Sequence, residues 1–152
     1  MKIKLLSLIV LAGLLFSPIH AQTGKVGVGV VIGDPTGLSL KINHDAASSY
    51  NFAAAWSTGN ETELQVHADY VRYNYKLLNL ELENGTMPLY YGIGLNAHLS
   101  KNSALGIRVP LGINYIFSNA PLDMFFELAP TINVLPSTQF YLNGGIGIRY
   151  FF

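Results

Sequence analysis

The feature that most constrains this chain is a two-residue rhythm. From Lys25 to Phe152, apolar residues alternate with small or polar ones in one run after another, and turn residues separate the runs. Successive side chains of a strand point to opposite faces, so this period predicts strands with one apolar face each. In the last run Phe140, Leu142, Ile146, Ile148, Tyr150 and Phe152 share a face, against Asn143, Gly145, Gly147 and Arg149. Leu105, Ile107, Val109, Leu111, Ile113, Tyr115 and Phe117 do the same against Arg108, Gly112 and Asn114. Tyr50, Phe52, Ala54 and Trp56 alternate with Asn51, Ala53, Ala55 and Ser57.

Counted this way, the chain holds eight strands: Lys25–Ile32, Gly37–Asn43, Ser49–Ser57, Glu63–Tyr75, Leu89–Leu99, Ala104–Phe117, Asp123–Leu135 and Gln139–Phe152. Turn residues punctuate them, among them Gly33-Asp34-Pro35, Asn84-Gly85, Asn119-Ala120-Pro121 and Pro136-Ser137. Pro110 and Pro130 sit inside expected strands, where each removes a ladder donor. Their similar depth in neighbouring strands predicts a shared bend or bulge.

What precedes the first strand is of another kind. Lys2 and Lys4 open the chain, an apolar run follows from Leu5 to Phe16, and Ser17-Pro18-Ile19-His20-Ala21 leads into Gln22. This is the layout of a cleaved secretory signal, residues 1–21, and the run is too short to span a bilayer as a helix. The chain has no cysteine, which excludes disulfides and a lipid-modified N-terminus. Without the signal, seven basic residues face nine acidic ones, which argues against a nucleic-acid partner.

Only 12% of the residues are charged, against about 25% in an average soluble domain. A soluble barrel would need more charge to coat its outside. The alternation therefore predicts an apolar outer face toward lipid and a small or polar interior. A sheet edge inside a membrane leaves backbone groups unpaired, so the first strand is expected to pair with the last. The expected fold is an all-β, eight-stranded antiparallel up-and-down transmembrane β-barrel over residues 22–152.

Resemblance points the same way. The end Gly145-Ile146-Gly147-Ile148-Arg149-Tyr150-Phe151-Phe152 resembles the closing strand of outer-membrane barrels, in which a terminal Phe and alternate residues before it are read by the barrel-assembly machinery. In this chain those positions are Phe152, Tyr150 and Ile148. The whole resembles the eight-stranded OmpA transmembrane-domain type. Through Gly33-Asp34-Pro35-Thr36-Gly37-Leu38-Ser39, His67-Ala68-Asp69-Tyr70, Leu89-Tyr90-Tyr91-Gly92-Ile93-Gly94, Gly106–Tyr115 and Asn119–Asp123 it is also similar to an uncharacterised family of small predicted barrels. The resemblance implies a fold and a location in a bacterial outer membrane, with no catalytic residues.

Matching apolar faces predicts register, because a one-residue slip turns every side chain over. Tyr115 is expected opposite Phe126, Ile113 opposite Leu128 and Val109 opposite Ile132. In the last hairpin Leu128 is expected opposite Ile148 and Phe126 opposite Tyr150. Two interior polar clusters follow, Arg149–Glu127–Asn114, with Arg108 and Asn96 farther along, and Lys41–Asn51–Asp69. The bland reading of these charges is a structural plug, since an eight-stranded barrel is just wide enough for side chains to fill.

His67 and His98 point inward, and a hairpin centred near Asn84 brings them opposite each other, with Asp69 a conceivable third metal ligand. Without tight local spacing this is weak, and interior hydrogen bonding is the simpler reading. His44, Asp45 and Ser48 read as a turn, not as an acyl-transfer constellation. The glycine pairs, such as Gly145/Gly147, lack a phosphate-loop pattern and are expected to give close backbone approach or room for Arg149.

The outward connections are short, which speaks against a large external binding surface. The expected role is a non-enzymatic barrel protein, structural or surface-interacting, with no cofactor. Outer-membrane lipids and the assembly machinery are its expected partners, with an extracellular or host ligand left open. Two alternatives are a narrow channel for small polar solutes and a soluble periplasmic barrel around an apolar ligand.

Overall fold

The computed structural model describes residues 24–58, 62–78, 80 and 82–152. The expected signal, residues 1–21, lies outside the described residues. Every regular element described is a strand, and the ten strands form one antiparallel sheet. They are β1 (Val26–Asp34), β2 (Gly37–Asp45), β3 (Ser48–Thr58), β4 (Thr62–Asn74), β5 (Gly85–Thr86), β6 (Leu89–Leu99), β7 (Ala104–Arg108), β8 (Leu111–Phe117), β9 (Leu122–Leu135) and β10 (Gln139–Phe151). β1 pairs with β2 on one side and β10 on the other, and β10 pairs in turn with β9.

Ten strands replace the eight expected, and prolines account for both additions. The expected strand Ala104–Phe117 is divided into β7 and β8 at Val109-Pro110, and Gly85-Thr86 pairs ahead of Met87-Pro88. A proline has no N–H to return a ladder bond. The register nevertheless runs straight through both breaks. Gly85 faces Phe117 and Leu89 faces Ile113, and between them the Asn114 N–H donates to the Pro88 carbonyl at 3.0 Å. Arg108 faces Gly94 and Leu111 faces Tyr91, with the Gly92 N–H donating to the Pro110 carbonyl at 2.9 Å. Pro130 stays inside β9 opposite Leu142, and its carbonyl accepts the Val109 N–H at 2.9 Å. The strand that breaks is thus the one carrying Pro110, and its neighbour continues.

Register agrees with the sequence reading in β2 to β4, where Lys41 faces Asn51 and Asn51 faces Asp69. It departs in the second half of the chain. Tyr115 faces Met124, Ile113 faces Phe126 and Ile107 faces Ile132, two residues from expectation. Phe126 faces Ile146 and Arg149 faces Asp123, four residues from expectation. Both slips are even, so every residue keeps its face. What chooses among the even registers is the volume of the inward side chains. Phe125 faces Gly147, and a Cβ on that glycine would strike the Phe125 ring. The expected register would have set Phe125 against Phe151. Likewise Tyr90 faces Gly112, where a Cβ would meet the phenol at 2.5 Å. Gly147 therefore makes room for Phe125, not for Arg149.

The two faces differ in chemistry. Outward positions carry exposed Val, Ile, Leu, Phe, Tyr and Trp side chains. Inward positions carry Lys41, Asn51, Asp69, Asn96, Arg108, Asn114, Asp123 and Arg149, all buried. The buried apolar cluster is small: Val31, Val71, Tyr73, Tyr90 and Phe125.

Candidate functional site: the ionic interior

Strand alternation aims the charged side chains of β2, β4, β7, β9 and β10 into the enclosed face, and there they sort into two clusters. The first lies toward the chain termini and centres on Asp123. Arg149 grips its carboxylate with both arms, Nε to Oδ1 at 2.8 Å and Nη2 to Oδ2 at 3.0 Å. Lys41 Nζ donates to Oδ2 from across the interior at 3.1 Å, and Asn114 Nδ2 adds a third bond to that oxygen at 3.1 Å. Aromatic faces complete the cluster. The Arg149 guanidinium lies 4.2 Å from the Phe125 ring centroid, and the Lys41 ammonium 4.5 Å from that of Tyr73. Such contacts strengthen when desolvated.

The second cluster centres on Arg108. Its Nη2 bonds Glu127 Oε1, its Nη1 lies 2.6 Å from His67 Nδ1, and its Nε stands 3.3 Å from Asp69 Oδ1. Arginine only donates, so His67 Nδ1 accepts and its proton sits on Nε2, the nitrogen 3.6 Å from Asp69 Oδ2. Tyr90 donates to the other Glu127 oxygen at 2.7 Å. The Asp69 contact is an ion pair without hydrogen-bond geometry, and neither of its buried oxygens accepts a hydrogen bond from the described residues. Gly94, opposite Asp69, leaves the carboxylate its space, since a Cβ there would strike Oδ1.

A third, uncharged group lies toward the turns. The Tyr141 hydroxyl takes a bond from Asn96 Nδ2 at 2.6 Å, donates to Asn133 Oδ1 at 3.1 Å and meets His98 Nε2 at 2.8 Å.

These contacts rearrange the clusters expected from sequence. Arg149 and Asn114 do come together, at 3.3 Å, but around Asp123 and not Glu127. Glu127 faces Gly145 and Gly112 and goes to Arg108 and Tyr90. Lys41, Asn51 and Asp69 are neighbours in register, yet their side chains part. Lys41 reaches Asp123, Asn51 accepts from Ser49 Oγ at 2.9 Å, and Asp69 meets Arg108. His67 faces Asn96 and His98 faces Gln65, so the two histidines are not opposite each other. Asp123, Tyr90 and Tyr141 went unrecognised in the sequence. Asp123 shares the inward parity of Glu127, and that was the signal available.

His67, Asp69 and Glu127 do place ligand atoms within 4.8 Å of one another. Arg108 contacts all three and already supplies the positive charge at their centre, so the set fits an internal counter-ion better than a metal. Near the termini, Asp45 Oδ1 caps the Ala47 N–H at 2.7 Å and the His44 ring packs against Tyr50, which is turn chemistry.

Between the two ionic clusters lies a void of about 30 Å³, lined among others by Arg108, Glu127, Arg149, His67 and Asn51. That is room for about two water molecules. The chain belongs to the family DUF3996, proteins of unknown function, whose model matches residues 20–152. No curated protein and no solved structure matches the chain.

Proposed function

We propose that this protein is an integral β-barrel of a bacterial outer membrane, closed as eight staves, with a structural or surface-interaction role and no catalysis. The staves are β1, β2, β3, β4, β5 with β6, β7 with β8, β9 and β10, the two proline breaks being interruptions within a stave. Pairing of β1 with β10 supports closure, since every described strand of that circuit except the two-residue β5, which pairs with β8 alone, has a partner on both sides.

The observation that carries the reading is the inverted exposure of the two faces. Leu95 is 65% exposed, Ile32 65% and Phe140 70%, whereas Arg108 is 1% exposed, Arg149 2% and Asp123 0%. A water-soluble protein of this make-up would hydrate its aliphatic side chains and desolvate its arginines. In lipid the same arrangement costs little, because the outer face meets hydrocarbon and the charges meet each other. Stave length agrees: the 14 residues of β9 extend about 45 Å, or about 35 Å in height at a tilt near 40°.

The middle of the interior is filled to a void of about 30 Å³, which supports a plug over a solute path, while a recess of about 380 Å³ lined by Lys41, Tyr73 and Asp123 opens at the terminal mouth. Phe152, Tyr150 and Ile148 lie on the outer face of the final strand, with the Tyr150 and Phe152 rings 5.1 Å apart, where an assembly factor that reads strand ends can reach them. The described turns toward the far end are short, so an external ligand would meet turn tips and not long loops.

The test is membrane fractionation combined with gel mobility. The protein is expected in the outer-membrane fraction and to run faster unheated than boiled. A product that stays in buffer without detergent would sink the reading.

A further inference from the structure

We propose that the outer wall over β3, β4 and β6 is a binding groove for one anionic phospholipid, its acyl chain seated on Ala54, Ala68 and Ala97 and its phosphate held by Arg72. The proposal rests on the membrane-spanning reading above and adds a ligand to it.

The groove follows from register. Ala54 faces Val66, which faces Ala97, and in the next row Phe52 faces Ala68, which faces Leu95. Outward positions on the other staves are mostly filled by Val, Ile, Leu or aromatic side chains, so this part of the wall is sunken. Two adjoining depressions, of about 640 and 420 Å³, share Phe52, Ala68 and Leu95 in their lining. They are lined almost wholly by apolar atoms and open to the surface.

The groove has a polar end. Along β4 the outward residues run Val66, Ala68, Tyr70, Arg72. Arg72 is exposed, and its guanidinium has no ion-pair or hydrogen-bond partner among the described residues. It lies two residues from the end of β4, at the end of the sheet where β10 finishes, with exposed Tyr91 opposite it. An unpaired cation on a lipid-facing wall calls for an anion at headgroup depth, and a guanidinium matches a phosphate with two parallel donors. The spacing fits one molecule. Six residues from Arg72 to Val66 cover about 20 Å along the strand, or about 15 Å in depth, half the hydrocarbon core. A headgroup on Arg72 therefore places its chain over Ala68 and ends it near Ala97. An even number of staves puts both ends of the chain on one side; with that side taken as the periplasm, this is the periplasmic leaflet, where the anionic lipid is a phospholipid.

The experiment uses the full mature chain folded in detergent, with heat-shifted mobility as the prior check of the barrel. Native mass spectrometry then follows retention of phosphatidylglycerol and of phosphatidylcholine offered in equal amounts. The expected result is one retained phosphatidylglycerol, favoured about tenfold. Arg72→Gln is expected to abolish the preference, and Ala97→Leu to reduce retention of both lipids, each with the heat shift unchanged. Ala54→Val serves as the gentler filling if Ala97→Leu does not fold. Equal retention of the two lipids, a preference surviving Arg72→Gln, or retention unaffected by a folded groove-filling variant would each overturn the proposal. Loss of the heat shift in the parent chain would instead overturn the membrane reading.

Discussion

The two ionic clusters of the interior are built from the same residue types in opposite proportion. Around Asp123, two cations, Lys41 and Arg149, share one carboxylate. Around Arg108, one cation serves two carboxylates, Asp69 and Glu127. With every group ionised and His67 neutral, the first cluster carries one excess positive charge and the second one excess negative charge. The pair cancels across a void lined by members of both. Satisfaction differs as well. Asp123 accepts four hydrogen bonds, while Asp69, equally buried, accepts none. The difference teaches that burial alone does not rank these charges. The saturated carboxylate holds four strands together, β2, β8, β9 and β10, whereas the unsaturated one is held in place by its neighbours.

The largest expected effect is at Asp123. Asp123→Asn leaves Lys41 and Arg149 buried without a counter-ion, a loss on the order of 3–5 kcal/mol by analogy with broken buried pairs. Urea unfolding of the detergent-folded protein, followed by the heat-shifted band, measures it. Unfolding at the parent's urea midpoint would remove the basis for calling this cluster the anchor.

Strand identity and facing were legible in the sequence because alternation is a local signal, and the two proline breaks did not disturb it. Register was legible where a tight turn pins it. The Asp45–Ser48 turn joins β2 and β3, and Lys41, Asn51 and Asp69 lie in the expected rows. It was not legible from β6 onward, because parity fixes register only to the nearest two residues. The decision there belongs to pairs of large and small inward side chains, such as Phe125 with Gly147, which become visible once strands are laid side by side. The error carried directly into the site. Slipping β10 by four residues assigned Arg149 to Glu127 and hid Asp123. The contact of Lys41 with Asp123, 82 residues apart, follows from the pairing of β1 with β10, and that of Tyr90 with Glu127, 37 residues apart, from their sharing one row across Gly112; neither follows from a local pattern.

Large-small pairing gives the next effect in size, and it falls in the Arg108 cluster. Gly94→Ala puts a methyl group against the Asp69 carboxylate and the Ala68 carbonyl of the neighbouring strand. Overpacking of this kind costs about 1–3 kcal/mol. The backbone contact is present whatever stands at position 69, so Asp69→Ala is expected to recover only part of the loss in the double variant. Full recovery, read from urea midpoints of the four proteins, would show that the carboxylate alone needs the glycine.

Toward the turns, Tyr141→Phe removes a hydroxyl shared by Asn96, His98 and Asn133. The mouth there is open, so water can replace the lost partner, and the expected cost is about 1 kcal/mol. A loss as large as that of Asp123→Asn would mean that the uncharged group, not the ionic pair, closes the interior.

Asp69→Asn should be the mildest, and it completes the comparison because the same chemical change is made in the opposite cluster. The amide keeps the shape beside Gly94. No hydrogen bond to an Asp69 oxygen is lost, because none is made, and Arg108 retains Glu127 as its counter-ion. The substitution also brings the Arg108 cluster from one excess negative charge to none. What is lost is one ion pair without hydrogen-bond geometry, while the penalty of keeping a charged carboxylate out of water is relieved. These terms oppose each other, so the expected change is within about 1 kcal/mol. If Asp69→Asn and Asp123→Asn shift the urea midpoint equally, hydrogen-bond saturation does not distinguish the clusters, and the interior acts as one undivided network.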